Sequence, residues 1–357
     1  MAFSFANYLN SRTTSVRNIS LLSILVLSCL VVNSINPNFL TIGNIAVIGL
    51  QMSFIGIAAV GTTLLMVGGQ LDLSIGSIFG LASISAALLA KVIAPELALL
   101  SGIGLGAFLG LCNGLVVWRI RTSPLIVTLG ALTFIRGLVM IVSGNKTVAG
   151  LPETFSAYGQ FRLFGLPSPL LILAAVAIIV GIILSRTTIG LRIQAYGDNR
   201  EAAELAGVNS TRLMLGLFTF NGLMAGLAGV LAASRLGGAA PNLGVGFELD
   251  VITAVILGGV GLSGGEGRIF GVMLAVAVVG VVQAGIVAVG LDPDIGRLCT
   301  GGALILAVAV DQFGKERHEA RQRRLALEEF TVEGGVADRI GLSSVEQTSS
   351  TKRSSWG

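Results

Sequence analysis

Long apolar segments separated by short polar intervals make up most of this chain. The apolar segments lie near residues 19–36, 44–67, 75–93, 97–118, 124–143, 168–185, 213–234, 249–262, 268–290 and 296–312. Most of them approach the roughly 20 apolar residues that one helix needs to cross a bilayer. The eighth segment is shorter, which indicates a tilted, broken or re-entrant element. The pattern predicts an all-α polytopic membrane protein with about ten transmembrane helices.

The composition agrees with a membrane protein and excludes several other classes. Of the 357 residues, 53% are hydrophobic and 12% are charged, whereas a soluble domain carries about 25% charged residues. The 49 glycines suit helices that pack closely in lipid. Basic residues are spread along the chain, so the net charge of +4 does not indicate a nucleic-acid partner. The single histidine, His318, excludes a histidine-based triad or zinc site.

The distribution of Lys and Arg predicts the orientation. With the N-terminus inside, 17 of the 23 basic residues fall on the cytoplasmic side and five outside, while Arg136 lies within a span. We therefore predict that both termini are cytoplasmic. The chain then divides into a cytoplasmic N-terminal segment (1–18), a transmembrane domain (19–312) and a charged, partly disordered cytoplasmic tail (313–357).

Residues 192–210, RIQAYGDNREAAELAGVNS, form a polar island on the cytoplasmic side. Asp198 and Glu201 have the spacing of a capping box, so we predict a short helix that begins near Asn199 and ends at Gly207. Its small apolar face would consist of Ala202, Ala203, Leu205 and Ala206. Such a short helix is unstable alone in water and must lean on another surface. The island is therefore either a solvated loop between two spans or a docking knob for a partner protein.

A second interruption, GGQLDLSIGS at Gly68–Ser77, separates the second and third apolar segments. Gly68 and Gly69 would end the preceding helix, and Asp72 or Ser74 would cap the next one. Backbone outside a helix survives at membrane depth only beside protein or a water-filled cavity. The interruption is therefore a candidate functional site, and the alternative is a simple capped turn at the membrane face.

Two further stretches carry polar residues near the eighth segment. Glu248 and Asp250 stand at its start, where two carboxylates could do acid–base chemistry but better fit a helix N-terminus, whose dipole favours negative charge. The sequence LSGGE at Leu262–Glu266 resembles a motif of ATP-binding-cassette ATPases. No phosphate-binding P-loop pattern accompanies it, so we interpret it as a glycine-rich turn around Gly264 and Gly265.

Three polar residues lie inside otherwise apolar segments, namely Arg136, Asn113 and Asn221. An arginine is costly in lipid unless it faces protein or water. Each asparagine fits either a hydrogen bond between helices or a ligand-binding role.

These motifs, in this order, resemble those of the ribose-type sugar permeases of bacterial ATP-binding-cassette importers. GGQLDLSIGS is similar to the break motif of that family, AYGDNREAAELAGV to its coupling segment, and GFELDVITAVILGGVGLSGGEGRIFG to its C-terminal motif. IVTLGALTFIRG at Ile126–Gly137 adds a fourth similarity, and the resemblance covers roughly residues 38–312. Gln70 departs from the family, which usually has an apolar residue there, and the tail is longer than usual.

The resemblance implies a multi-pass permease subunit of the bacterial inner membrane, not an enzyme. Such subunits form a pore from two copies of one chain or from two similar chains. Two cytoplasmic ATPase subunits lie below the pore and a periplasmic sugar-binding protein lies above it. ATP and Mg²⁺ would bind to the ATPase, and this chain would hold no cofactor. The substrate would be a monosaccharide, pentose-like or hexose-like, or a related polyol.

The resemblance also implies roles for individual residues. The ATPase-coupling residues would be Asp198, Asn199, Glu201, Ala202, Ala203, Leu205 and Gly207. Position and polarity make Asp72, Ser74 and Asn221 candidates for the pore or substrate path. The structural residues of the motifs would be Gly68, Gly69, Glu248, Asp250, Gly264 and Gly265.

Three alternatives remain beside this hypothesis. One is a permease of the same importer class for a nucleoside or an amino acid. Another is an ion-driven secondary transporter, which would need carboxylates or histidines along its spans, whereas here the acidic residues stand at helix ends. The third is a non-transporting scaffold or receptor, which would have no need of glycine-rich breaks.

Overall fold

A computed structural model describes the backbone of residues 2–309 and 312 and the side chains of residues 16–309 and 312. The chain divides into two compact units, Met1–Ile305 and Leu306–Gly357. The first unit contains the features described below, apart from the last residues of the final described helix. The tail predicted for residues 313–357 lies outside the described residues.

Helices dominate the described chain. They are α1 (Ala2–Ile35), α2 (Ile42–Val67), α3 (Ile75–Leu89), α4 (Pro95–Ile120), α5 (Pro124–Ser143), α6 (Glu153–Gln160), α7 (Ser168–Arg186), α8 (Thr188–Asp198), α9 (Arg200–Leu205), α10 (Ser210–Leu236), α11 (Phe247–Leu257) and α12 (Ile269–Ala288). Residues 293–309 form a further helix, α13. Each of the ten predicted apolar segments overlaps one helix, and the prediction of an all-α polytopic membrane protein is confirmed.

Helix length divides these elements into two kinds. Among the described residues, seven helices are long and apolar enough to cross a membrane, and α3 is a shorter apolar helix of 15 residues. The eighth predicted segment contains only the 11 residues of α11. At 1.5 Å per residue α11 spans about 16 Å, roughly half of a hydrocarbon core of about 30 Å. The prediction that this segment is too short for a full span is confirmed.

Helix α10 is the centre of the bundle and packs against α2, α3 and α4. Its contact with α4 depends on glycines that face one another across the interface. A Cβ at Gly110 would overlap the carbonyl oxygen of Phe218, and a Cβ at Gly222 would overlap that of Gly106. Small residues therefore let the two backbones approach closely, as the high glycine content predicts.

Short elements close the bundle at two opposite ends. At one end, the α6 end, the segment between α5 and α7 consists of α6, strand β1 (Val148–Ala149) and the β2 (Arg162–Leu163)–β3 (Leu166–Pro167) hairpin. Strand β1 pairs antiparallel with β4 (Gly238–Ala239), which follows α10. The opposite end, the α9 end, contains α8, α9 and the turn between α11 and α12.

Helices α3 and α11 start side by side inside the bundle and run toward opposite ends. After α2 ends at Val67, Gly69 adopts φ +71° and the chain turns back along α2. On the other side, the segment after β4 returns into the bundle and passes Gly76 at Gly244. The rings of Phe79 and Phe247 then stack with their centroids 4.3 Å apart. The predicted break at Gly68 and Gly69 is therefore present, and a second broken element meets it.

Candidate functional site

A buried polar network surrounds the start of α3. The Asp72 carboxylate accepts hydrogen bonds at Oδ1 from the backbone N–H of Ser74 (2.8 Å) and from the Ser74 hydroxyl (2.6 Å). Asn221 Nδ2 in α10 donates to Asp72 Oδ2 at 3.2 Å. The Thr62 hydroxyl in α2 donates to Asn221 Oδ1 at 3.0 Å, and Asn113 Nδ2 in α4 donates to Ser74 Oγ at 2.8 Å. The network thus joins three helices to the break.

Every member of this network is buried inside the first unit. The hydrogen-bond partners of Asp72 within the described part of the chain are Ser74 and Asn221, which are both neutral. A buried carboxylate is costly unless its oxygens are satisfied. Both oxygens of Asp72 accept hydrogen bonds here, and any rearrangement of the break must replace these bonds.

The predicted pore residues Asp72, Ser74 and Asn221 are therefore brought together, although no described residue of this group faces an open cavity. Ser74 precedes the first residue of α3 but its side chain does not cap that helix, because its hydroxyl donates to Asp72 instead. The expectation of a side-chain cap is therefore wrong for Ser74, whereas the Asp72 carboxylate does accept the backbone N–H of Ser74, just before α3. Thr62 was not among the sequence candidates, since a threonine in an apolar helix usually bonds its own backbone.

The polar island forms two short helices rather than one. Helix α8 ends at Asp198, and the side-chain oxygen of Asn199 accepts a hydrogen bond from Ala202 N at 3.0 Å at the start of α9. The capping residue is therefore Asn199, not Asp198, because Asn199 has the extended backbone (φ −148°, ψ 103°) that an N-cap requires. The predicted helix start near Asn199 and the stop at Gly207, which has φ +85°, are confirmed.

The apolar face of α9 is directed mostly outward. Ala203 is buried against the protein with 2% exposure, whereas Leu205 is 91% exposed and Ala202 is exposed as well. The Arg200 guanidinium lies 5.8 Å from the centroid of the Tyr196 ring and pairs with Glu204 at 3.1 Å. Desolvation by burial raises the pKa of the Tyr196 hydroxyl. Helix α9 is thus attached to α8 on its inner side and presents apolar side chains on its outer side.

Two glycine-containing turns and the last turn of helix α8 meet at the α9 end, and we call this contact the glycine junction (Gly69, Gly197, Gly264 and Gly265). Gly265 N donates to Val67 O, the last residue of α2, at 2.8 Å. A Cβ at Gly197 would overlap Val67 O and come within 2.6 Å of Gly265 N. A Cβ at Gly264 would lie 2.7 Å from the Cα of Gly69. The junction therefore connects α8 and the α11–α12 turn directly to the break after α2.

The charged residues near α11, namely Glu248, Asp250 and Arg136, lie beside the break but do not belong to the Asp72 network. Glu248 and Asp250 lie in the first turn of α11, whose N-cap is Gly246 without a side-chain cap. Asp250 Oδ1 accepts from Gln283 Nε2 at 3.1 Å. Arg136 Nη1 donates to Leu243 O at 3.0 Å, so this arginine holds the re-entrant segment instead of facing lipid. The acidic pair fits the dipole of α11 as predicted, but neither residue provides the N-cap.

Comparison with known proteins adds an independent finding. Residues 44–308 match the family model described as branched-chain amino acid transport system / permease component. The chain is 34% identical over 297 residues to the ribose import permease protein RbsC of Escherichia coli (strain K12), covering 82% of this chain and 92% of that protein. It is 34% identical over 278 residues to the L-arabinose transport system permease protein AraH of the same strain, covering 78% of this chain and 85% of that protein.

A third relative is the fructose import permease protein FrcC of Rhizobium meliloti, 33% identical over 273 residues, which are 74% of this chain and 76% of that protein. No solved structure matches the chain. The family model covers most of the sequence and includes the break, the polar island at residues 192–210 and the α11–α12 turn. The chain belongs to this family of transport-system permease components.

Proposed function

We propose that this chain is the pore-forming permease subunit of an ATP-driven importer for a monosaccharide in the bacterial inner membrane. The chain carries no ATPase, which is a separate subunit in this class of transporter. In the proposed assembly a binding protein delivers the sugar from outside. A second permease chain, identical or similar, completes the pore. The orientation that fits this assembly places the α9 end in the cytoplasm and the α6 end outside.

The substrate class rests on the relatives. Permeases named for ribose, L-arabinose and fructose are each about one third identical to this chain over at least 74% of its length. These three sugars share small size and several hydroxyl groups. A pentose or hexose is therefore the favoured cargo, and a related polyol comes next.

We place the ATPase contact at α9. The coupling mechanism rests on one observation, namely that this short helix exposes an apolar side chain. A six-residue helix that exposes an apolar leucine is too short to be stable without support. A helix of this kind fits an apolar groove on a partner, with Leu205 as its most prominent anchor. Asp198, Asn199 and Glu201 would shape the helix start, and Gly207 would terminate it.

Movement of α9 would reach the break through the glycine junction. Asn199 joins helix α8 directly to α9, and Gly197 of α8 lies against Val67 at the end of α2. A rigid-body displacement of α8 and α9 would therefore move the turn that precedes Asp72. We propose that this displacement opens the buried network, so that Asp72, Ser74 and Asn221 line the substrate path during transport.

Replacing Leu205 by glutamate should abolish docking of the ATPase without affecting the fold. The side chain is almost fully exposed, so a charge there costs little in the free subunit, whereas a charge in an apolar groove must be desolvated. Co-purification of the ATPase from gently solubilised membranes is expected to fall at least about tenfold. Leu163→Glu, an exposed leucine at the α6 end, is the matched control. Equal recovery of the ATPase with Leu205→Glu would contradict the docking role.

A second candidate substrate class follows from the family description, which names branched-chain amino acid transport. Uptake into proteoliposomes that contain the chain, its ATPase and its binding protein separates the two classes. Labelled ribose, arabinose or fructose is expected to accumulate, and labelled leucine is not. Accumulation of leucine alone would assign the chain to amino-acid import.

The same vesicles test the alternative of an ion-driven transporter. Uptake should require ATP inside the compartment where the ATPase lies and should be insensitive to dissipation of proton and sodium gradients. Among the described acidic residues only Asp72 is completely buried. A proton relay needs several buried ionisable groups that follow one another across the membrane. Uptake that continues without ATP and stops when the ion gradient collapses would establish the alternative instead.

A further inference from the structure

A cavity of about 570 Å³ lies at the α9 end, away from the Asp72 network. Helix α1, the end of α7, helix α8 and the start of α12 surround it, and its polar wall contains Arg17, Gln194, Glu266 and Arg268. This volume is within the range of about 300–1,000 Å³ that is usual for small-molecule sites. Gly265 of the glycine junction also belongs to the wall, whereas the proposed docking residues of α9 and the path residues Asp72, Ser74 and Asn221 do not.

Arg17 is held at the cavity by a contact that depends on a glycine. Its Nη1 donates to Gly259 O at 3.4 Å, and a Cβ at Gly259, which has φ +89°, would overlap the guanidinium group. The Nε of Arg17 is buried and has no hydrogen-bond partner among the described residues. A guanidinium group has five N–H donors, and the bond to Gly259 uses one of them, at Nη1.

The start of α12 contributes further donors. This helix of 20 residues begins at Ile269, and its N-cap residue Arg268 provides no side-chain cap. Ile269 and Phe270 both belong to the cavity wall. The first N–H groups of a helix have no intrahelical acceptors, and the helix dipole adds positive potential at that end. A helix N-terminus that shares a cavity wall with two arginines is a favourable place for an anion.

The charged side chains in the cavity wall carry a net positive charge. Arg268 repels Arg17 electrostatically, and the Glu266 carboxylate attracts it. Two arginines and one glutamate give a net charge of one positive unit. An anion between the arginines would remove their repulsion and accept their donors in short, charge-assisted hydrogen bonds.

We propose that this cavity binds the phosphate of an anionic phospholipid headgroup. The helices around the cavity carry exposed apolar side chains that lipid acyl chains can cover, including Leu22 and Ile24 on α1, Ile178 and Ile182 on α7, and Phe270 on α12. A basic pocket at the end of transmembrane helices is the position at which headgroups contact membrane proteins. Free phosphate shares the same chemistry but would gain nothing from these apolar faces.

The test is thermal unfolding of the purified full-length chain in detergent, with phosphatidylglycerol, phosphatidylcholine or inorganic phosphate added in separate titrations. Phosphatidylglycerol is expected to raise the unfolding temperature at concentrations at least about tenfold lower than phosphatidylcholine. Arg268→Gln should weaken this effect about tenfold or more, because a hydrogen bond to a charged group contributes about 1.5–3 kcal/mol. The matched control is Arg119→Gln, an exposed arginine in the last turn of α4, which should respond as wild type.

Arg17→Gln also removes the bond to Gly259, so its unfolding temperature without lipid can fall. The measured quantity is therefore the rise that lipid causes, and Arg17→Lys, which keeps the charge, should recover most of it. Equal stabilisation by the two phospholipids, or an equal loss of response in Arg119→Gln and Arg268→Gln, would overturn the proposal. Stabilisation by inorganic phosphate at the same concentrations as phosphatidylglycerol would show a free-phosphate site and overturn the lipid assignment.

Discussion

Replacing Gly197 by alanine is expected to reduce ATP-driven sugar uptake about tenfold or more while the ATPase still binds. The added Cβ would lie between Val67 O and Gly265 N, the acceptor and donor of the hydrogen bond that connects α2 to the α11–α12 turn. Overpacking of this kind costs about 1–3 kcal/mol, enough for about a tenfold change in an equilibrium. The outer surface of α9 is unchanged, so docking should persist. Uptake and ATPase co-purification measured on the same membranes separate the two steps.

Gly216→Ala is the matched control for this substitution. Gly216 is also helical, but a Cβ there would meet no atom within 4 Å. Its uptake should equal that of wild type, apart from a small gain in helix stability. If Gly197→Ala and Gly216→Ala transport equally well, the glycine junction does not transmit the movement of α9.

Replacing Asp72 by alanine is expected to have the second large effect, on both stability and transport. Three donors, the backbone N–H and hydroxyl of Ser74 and the Nδ2 of Asn221, would lose their acceptor inside the bundle. Each unsatisfied buried group costs about 1–3 kcal/mol, so the variant should unfold at a clearly lower temperature in detergent. Uptake should fall below about one tenth of the wild-type rate.

The double variant Asp72→Asn with Asn221→Asp distinguishes a path residue from a packing residue. An asparagine at 72 still accepts from Ser74 and can donate to an aspartate at 221, which in turn accepts from Thr62. The double variant should therefore unfold at a higher temperature than the single variant Asp72→Asn, close to the unfolding temperature of wild type. Uptake should remain low if the carboxylate is needed at position 72 in the path. Full recovery of uptake would make Asp72 a packing residue only.

The sequence was sufficient to predict elements that depend on local chemistry. Apolar segments long enough to span a membrane became helices, and Gly68 and Gly69 ended α2 where a helix could not continue. Gly207 ended α9 in the left-handed conformation, for the same local reason. Each of these helices and helix ends depends on a few neighbouring residues, so it can be predicted from the amino-acid sequence alone.

Features that depend on packing could not be read from the sequence in the same way. Asp198 and Asn199 are both good N-cap residues, and only the backbone between α8 and α9 decides that Asn199 is the cap. Likewise, Ala202 and Leu205 belong to the predicted apolar face of α9, but only Ala203 is turned inward. The surface on which α9 leans could not be identified before the fold was known.

The candidate site was partly predictable for the same reason. Asp72, Ser74 and Asn221 stood out as polar residues in apolar surroundings, and they do contact one another. Thr62 completes the network by its hydrogen bond to Asn221. The two residues are 159 positions apart in the sequence, so no local pattern indicates this contact. The meeting of α3 and α11 at Gly76 and Gly244 is another such long-range contact, since it requires two chain reversals inside the bundle.

Site-directed cross-linking at position 205 tests the central claim most directly, namely that this chain is a pore subunit driven by a separate ATPase through α9. A Leu205→Cys variant, carried in a chain whose Cys29, Cys112 and Cys299 are replaced by serine, is labelled in native membranes with a thiol reagent whose other end is a photoactivated group that inserts into any neighbouring C–H or N–H bond. A Leu163→Cys variant in the same background is the control. If α9 docks the ATPase, a product of chain plus ATPase should form at position 205 only, and its yield should change when ATP is added. Absence of that product at position 205, from membranes that still import the sugar, would contradict it.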